Sequence, residues 1–392
     1  MPLDPPFAVL GHFQEAADGV ATFPIVLVDA APSASPVFRP LLHAPQQFER
    51  MGLGSQLTAL YNRRMRDKGE QARCLLFILN YNGTKITCDL LRSLREICFP
   101  HPVWVVDNGS DRDDTSAFVE AYPGVEVRRL AVNCGFAGGV NRAMEMAAEA
   151  GYEFAYEINN DTLAEDDFLA PCVEIMERFP DVDIVASRTK TLDRATGAFS
   201  IWGFCSGPDD LGRYRDGFLE TRHVTGCGML LRVSSFMKFR GLDERFFCYG
   251  EENDYCYRIA KAGRKQGFAE KSLILHQGSL TCDGVWQRYF AARNTILFSR
   301  LWDSSWQDSG SILIRRVILP SWKDIRCRCR WLHVAAAGHG LADAVLGRYG
   351  KRTAPFRLSR GIPLFFFFSP LVFLYAISVS AKMHPGRPRP QP

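Results

Sequence analysis

The chain has 392 residues, 47% hydrophobic and 23% charged, with 22 prolines and 32 glycines. This composition excludes collagen-like, wholly disordered and coiled-coil proteins, and the length suits two domains or one large domain with extensions. The net charge of +4 is unevenly spread: from Ser311 onward there are 14 Lys/Arg and 2 Asp/Glu, which leaves an acidic body and a basic tail.

Residues 1–70 mix short apolar runs such as Ile25-Val26-Leu27-Val28 with Pro-rich connections, and read as an accessory segment with a helix near Gln56–Asp67. Met1 is followed by Asp4 and prolines, without a basic flank or long apolar stretch, so no secretory signal is expected. From Cys74 the texture changes. Apolar runs at Cys74–Leu79, Val103–Val106, Val125–Leu130, Tyr152–Ile158 and Ile184–Ala186 alternate with helical patterns at Ile86–Ile97, Thr115–Ala121, Gly138–Ala150 and Asp166–Phe179. Short strands alternating with amphipathic helices predict an α/β domain with a largely parallel sheet, whose ligands bind where strands end and helices begin.

Four such strand ends are polar: Asn80-Tyr81-Asn82-Gly83, Asp107-Asn108-Gly109-Ser110, the loop from Asn133 to Asn141, and Asn159-Asn160-Asp161. Each alone is an ordinary turn, because Asn, Asp and Gly tolerate left-handed backbone and cap helices. Four on one rim predict a binding site. The loop Gly135–Gly139 lacks G-x-G-x-x-G spacing and follows the third strand, which disfavours a dinucleotide-binding dehydrogenase, and no Walker A sequence occurs. The 12 cysteines are scattered from Cys74 to Cys329 without a CxxC pair, which predicts reduced, packed thiols in a cytoplasmic protein.

Taken in order, ILNYNG at 78–83, VVDNGS at 105–110, NCGFAGGVNRA at 133–143, INNDT at 158–162, GCGMLLR at 226–232, GLDERFFCYGEENDYCYRIAKAG at 241–263, LHQGS at 275–279 and RN at 293–294 resemble an inverting family 2 glycosyltransferase of rhamnosyltransferase-like type. The resemblance spans roughly residues 73–350. It implies a GT-A nucleotide-diphospho-sugar transferase fold with a mixed, mainly parallel sheet and a helical C-terminal extension. It also implies a nucleotide-sugar donor, a glycan or lipid-linked acceptor and a divalent cation, Mg2+ or Mn2+, to neutralise the leaving diphosphate.

In the family a D-x-D element holds that cation. Here the positions read Asn159-Asn160-Asp161, so Asp161 is the expected ligand, with Asn159 beside it and His276 matching a family histidine near the diphosphate. Inversion needs a carboxylate to take the acceptor proton. The resemblance assigns this role to Glu252, in a cluster with Glu251 and Asp254 that opens a helix predicted over Asn253–Ala262. Mutual repulsion in such a cluster raises one pKa, while the helix dipole favours the ionised forms. Asp107 matches the carboxylate that contacts the nucleoside. Asn80, Asn82 and Asn160 lie at neighbouring strand ends, and Asn133 and Asn141 flank the glycine loop containing Gly138, which lets backbone approach the donor. Arg293, on a helix beginning near Trp286, is expected to reach the diphosphate, a task suited to a planar guanidinium.

The tail adds a second theme. Gly361–Ala381 is uncharged and, as a helix, would be about 30 Å long, close to a bilayer core, although Pro363 and Pro370 interrupt it. Residues 312–360 carry 11 Lys/Arg and 2 Asp/Glu with Trp322 and Trp331 among them, a pattern that suits an anionic cytoplasmic membrane face. No nucleic-acid-binding motif accompanies these charges, so nucleic acid is not an expected partner. The expected organisation is an accessory segment at 1–70, a catalytic domain at 71–302, a basic helical extension at 303–360, a membrane-associated or spanning segment at 361–381, and a tail at 382–392. The alternative reading is a catalytically impaired sugar-nucleotide-binding protein, since the first acid of D-x-D is absent. A processive synthase is disfavoured because Trp286-Gln287-Arg288-Tyr289 does not fit a Gln-x-x-Arg-Trp element.

Overall fold

A computed structural model describes residues 73–192, 199–202, 213–224, 226–277, 284–302, 313–328 and 330–382. The accessory segment expected at 1–70 lies outside the described residues, as do Gly278 and Ser279 of the LHQGS stretch and the tail from 383.

The expected alternation of strands and helices is present. In chain order it runs β1 (Cys74–Asn80), α1 (Thr84–Glu96), β2 (Val103–Asp107), α2 (Thr115–Ala121), β3 (Glu126–Arg129), α3 (Gly135–Glu149), β4 (Phe154–Asn159), β5 (Thr162–Leu163), α4 (Leu169–Arg178) and β6 (Val182–Leu192). There follow β7 (Phe199–Trp202), β8 (Tyr214–Arg215), β9 (Phe218–Glu220), β10 (Gly228–Arg232), α5 (Val233–Lys238), α6 (Glu251–Lys261) and β11 (Lys265–His276). The helical extension contains α7 (Gly284–Trp302), α8 (Leu319–Lys323), α9 (Trp331–Val345) and α10 (Leu358–Lys382).

Among the described residues the strands form one mixed sheet in the order β3-β2-β1-β4-β10-β6-β11-β9-β8. β3, β2, β1 and β4 are parallel, β10 runs antiparallel between β4 and β6, and β6 and β11 are parallel again. The sheet is mixed and mainly parallel, as expected. The central strands are covered on both faces, and therefore read as continuous apolar runs. Along β1 the side chains alternate: Leu76 and Ile78 join a core with Leu91, Phe99, Phe118 and Phe168, whereas Leu75 and Phe77 join the opposite core with Val140, Met144, Phe236 and Tyr255. β3, the edge strand, instead exposes Glu126 and Arg128, charges that discourage further strand pairing.

Register aligns the functional ends. Asn80 pairs with Asp107 across β1 and β2, and Leu79 pairs with Asn159 across β1 and β4, so the polar tips predicted from sequence share one rim. On the far side β5 pairs with the end of β11 and sets Thr162 opposite His276, which brings Asp161 beside that histidine. Cys74, Cys88, Cys98, Cys134, Cys172, Cys227, Cys248 and Cys256 are free thiols, and Cys74, Cys88, Cys172 and Cys256 are buried.

The extension packs on itself and on the catalytic domain. Ala292, Ile296, Val334, Leu341 and Phe365 form its core. The segment expected to associate with or span a membrane lies in α10, which crosses α9 at a point of backbone contact: a Cβ on Gly338 would lie 1.9 Å from the Gly361 carbonyl oxygen and 2.6 Å from the Phe365 nitrogen. Among the described residues no helix is long and apolar enough to cross a membrane. Gly338→Ala therefore overpacks this crossing. The full chain should lose about 1–3 kcal/mol in urea denaturation, and an unchanged midpoint would contradict the close approach.

Candidate active site

A chain of hydrogen bonds runs across the strand ends. Asn160 Nδ2 donates to Thr87 Oγ1 at 3.2 Å, Thr87 Oγ1 to Asn80 Oδ1 at 2.8 Å, and Asn80 Nδ2 to Asp107 Oδ1 at 2.8 Å. The other oxygen of Asp107 meets Arg129 Nη1 at 3.0 Å, and Arg129 also donates to the Ser110 and Arg112 carbonyls. Asp107 is thus held as a paired carboxylate at the base of the rim. Asn82 turns outward in a left-handed conformation (φ 51°) and exchanges hydrogen bonds with Asp111, which closes the neighbouring loop.

The glycine loop is organised by two asparagines. Asn133 Oδ1 accepts from Gly135 N at 2.8 Å, while Asn108 Nδ2 donates to the Gly135 carbonyl at 2.9 Å. Gly135 needs its lack of a side chain twice over: its φ is +76°, and a Cβ there would sit 2.3 Å from the Phe247 carbonyl oxygen. Gly138 leaves room for the Cys134 side chain in the first turn of α3.

Asp161 and His276 come together as the resemblance implied, with Nε2 3.2 Å from Oδ1 and both side chains largely withdrawn from solvent. Asn159, the neighbouring candidate, is turned toward Glu157 and Gly226. Its amide nitrogen donates to Glu157 Oε1 and to the Gly226 carbonyl, both at 3.3 Å, which turns its oxygen away from both. A carboxylate and an imidazole suit a divalent cation that completes its coordination with phosphate oxygens and water. Among the described residues no cluster of three or more His, Cys, Asp or Glu could hold a metal by itself.

The acidic helix approaches from the other side. Glu252, half-buried, accepts from Gly250 N at 3.2 Å. A side chain grown on Gly226 would meet Glu252 Cγ at 3.8 Å and the Phe136 ring at 3.7 Å. The Gly226 backbone therefore lies between Asn159 and Glu252. Glu157, which sequence reasoning passed over, sits beneath this junction. Its burial raises its pKa well above the ordinary carboxylate range, and Asp161, Glu251 and Glu252 push it the same way. Glu251 is likewise raised, by burial first and by Glu252 second, with the Arg293 cation opposing. The signal for Glu157 was a lone acid inside the otherwise uncharged strand FAYEIN.

Three expected contacts lie elsewhere. Asp254 points away from the junction, with Arg258 Nε donating to its Oδ2 and Trp302 Nε1 to its Oδ1, both at 2.9 Å. Asn141 does not face a donor: it grips the Gly241 turn, donating to the Leu242 carbonyl at 2.9 Å and accepting from Leu242 N at 2.8 Å. Arg293 is buried, and its guanidinium is spent on the Gly350, Arg245 and Phe246 carbonyls and on Asn294 Oδ1. A guanidinium so engaged positions a loop and has no fork to offer a diphosphate.

Residues 76–240 match the sequence model of the family described as Glycosyl transferase family 2. Over that stretch, less than half of its length, the chain is similar to this family. In sequence it is rhamnosyltransferase-like: it is 24% identical over 276 residues to the N-acetylglucosaminyl-diphospho-decaprenol L-rhamnosyltransferase of Mycobacterium tuberculosis, covering 61% of this chain and 90% of that one. Among solved structures it is similar to GalNAc-T7 with UDP, GalNAc and Mn2+, at 13% identity and TM-score 0.45, covering 57% of this chain and 51% of that one, so it spans about half the length of that protein. It is also similar to the mannosyltransferase PcManGT from Pyrobaculum calidifontis in complex with GDP-Man and Mn2+, at 16% identity and TM-score 0.43, covering 87% of this chain and 98% of that one.

The raised carboxyls have a consequence for stability. A buried acid whose folded pKa exceeds its unfolded value keeps a proton that the unfolded chain releases, so stability falls as pH rises past the unfolded value. Glu251→Gln removes one such group. Its stability relative to the parent should rise steadily between roughly pH 5 and pH 8, read from urea midpoints across that range; parallel curves would place Glu251 in contact with solvent.

Proposed function

We propose that this chain transfers a sugar from a nucleotide-diphosphate donor to a hydroxyl on a lipid-linked or cell-surface glycan, with inversion, at the inner face of a membrane. The observation that supports this reading most is the Asp161–His276 pair, with Asn159 and Glu252 both beside Gly226. The diphospho-decaprenol in the name of the Mycobacterium tuberculosis relative supports a lipid-linked acceptor.

In this mechanism Glu252 takes the proton of the acceptor hydroxyl as that oxygen attacks the anomeric carbon, and the nucleoside diphosphate leaves from the opposite face. Burial raises the pKa of Glu251 and Glu157 and so favours their neutral forms, which limits the negative charge packed beneath the site. Asp107, fixed by Asn80 and Arg129, frames the nucleoside end. A divalent cation held by Asp161 and His276, with Asn159 beside them, would supply charge neutralisation for the departing diphosphate. A sugar-nucleotide-binding protein without turnover is the second reading, favoured by asparagine at position 159, where the D-x-D element has its first acid.

Screening nucleotide sugars for release of nucleoside diphosphate, with Mn2+ or Mg2+, separates the two. Glu252→Gln should lower turnover by roughly 10²–10⁴-fold while leaving donor binding intact. Asp161→Ala and His276→Ala should raise the cation concentration needed for half-maximal activity. Donor binding without turnover in the parent protein would instead establish the second reading.

A further inference from the structure

The surface of the helical extension has two properties that the site does not use. One is its charge. Both acidic residues between 313 and 360 are buried and paired: Asp324 meets Arg288 at 3.1 Å, and Asp343 is engaged by Arg352 and by the Tyr289 hydroxyl. Arg315, Lys323, Arg326, Arg330, Arg348, Lys351, Arg357 and Arg360 remain exposed, so the ionic face turned to solvent by these described residues is wholly cationic. The other is its apolar character. Trp322 on α8 packs its ring against Phe366 on α10 at 5.5 Å, yet both stay outside the core, at 39% and 41% exposure, next to Phe367 at 64%, Leu371 at 50% and Leu319 at 54%. Large apolar side chains left exposed on two packed helices mark an interaction surface.

We infer that α8 and the first half of α10 dock this patch in the plane of an anionic lipid surface, with the aromatics at headgroup depth and the surrounding arginines and lysines on the lipid charges. Charge complementarity selects that occupant: a cationic rim repels a second copy of itself and is drawn to acidic headgroups. The inference rests on the reading of a lipid-linked acceptor and adds the surface and manner of attachment. α10 is bound to α9 through Gly338, Gly361 and Phe365, so the helix lies against the protein and the exposed side carries the lipid contact.

The test uses the full chain and preformed vesicles, either of phosphatidylcholine alone or with one third phosphatidylglycerol. The parent protein should sediment with the anionic vesicles and be released by high salt or alkaline carbonate. Phe366→Ser/Phe367→Ser should abolish sedimentation, and Lys323→Gln/Arg360→Gln should weaken it by roughly fivefold per charge removed, with circular dichroism unchanged. Equal binding of parent and variants, equal binding to neutral vesicles, retention after alkaline carbonate, or a concentration-dependent dimer that the variants abolish would each overturn in-plane docking. Donor turnover measured with a water-soluble acceptor reports on the proposed reaction separately, and these surface variants should leave it unchanged.

Discussion

The guanidinium of Arg293 binds the carbonyls of Arg245 and Phe246 on one side and of Gly350 on the other, while the adjacent Asn294 donates to the carbonyls of Phe246, Cys248 and Tyr249. A cation so thoroughly buried is tolerable only when its donors are satisfied, and here the carbonyls satisfying it belong to the loop that leads into α6. Phe247 and Tyr249 take left-handed conformations, with φ of 65° and 70°, which bulky residues rarely adopt unless their surroundings impose them. The same loop sends the Phe247 carbonyl to Ala137 N at the start of α3, and its last residue, Gly250, begins the helix bearing Glu251 and Glu252. The glycine loop, the acidic helix and the C-terminal extension thus share one backbone segment. Its shape decides where the acid stands.

Much of this architecture was legible in the chain. Buried parallel strands announce themselves as apolar runs, and the strand tips were readable because Asn, Asp and Gly accumulate where a parallel sheet ends. Helix α6 begins at Glu251, two residues before the predicted start, because the left-handed Gly250 provides the turn. What periodicity could not supply was direction. Asn141, Asp254 and Arg293 belong to motifs whose residues suit ligand contact, yet their partners lie 101, 48 and 57 residues away and are carbonyls, amides or an indole of the protein itself. Glu157 was missed for the converse reason: its near neighbours Asn159 and Asp161 apart, the groups acting on it reach it from a helix almost a hundred positions later.

The tail combines an apolar sequence with close packing on its own chain. A run of 21 uncharged residues has the length of a span, but length says nothing of what covers it. Gly361 meets Gly338 and Ala335 closely enough for backbone to touch backbone, and Phe365 fills the core of the extension. The small residues that a membrane helix would use against a partner helix are here used against a neighbour in the same chain.

The clasp on Gly350 has one more implication. Residue 350 contributes its carbonyl to Arg293 and its amide to the Arg245 carbonyl, so the end of the extension is stitched to the loop that orients the acids. A boundary drawn after residue 302 would sever both stitches. Tails exchanged between relatives would have to travel with their partner loop, and an enzyme trimmed to its sheet-bearing portion would retain its chemistry on paper while losing the brace that aims it.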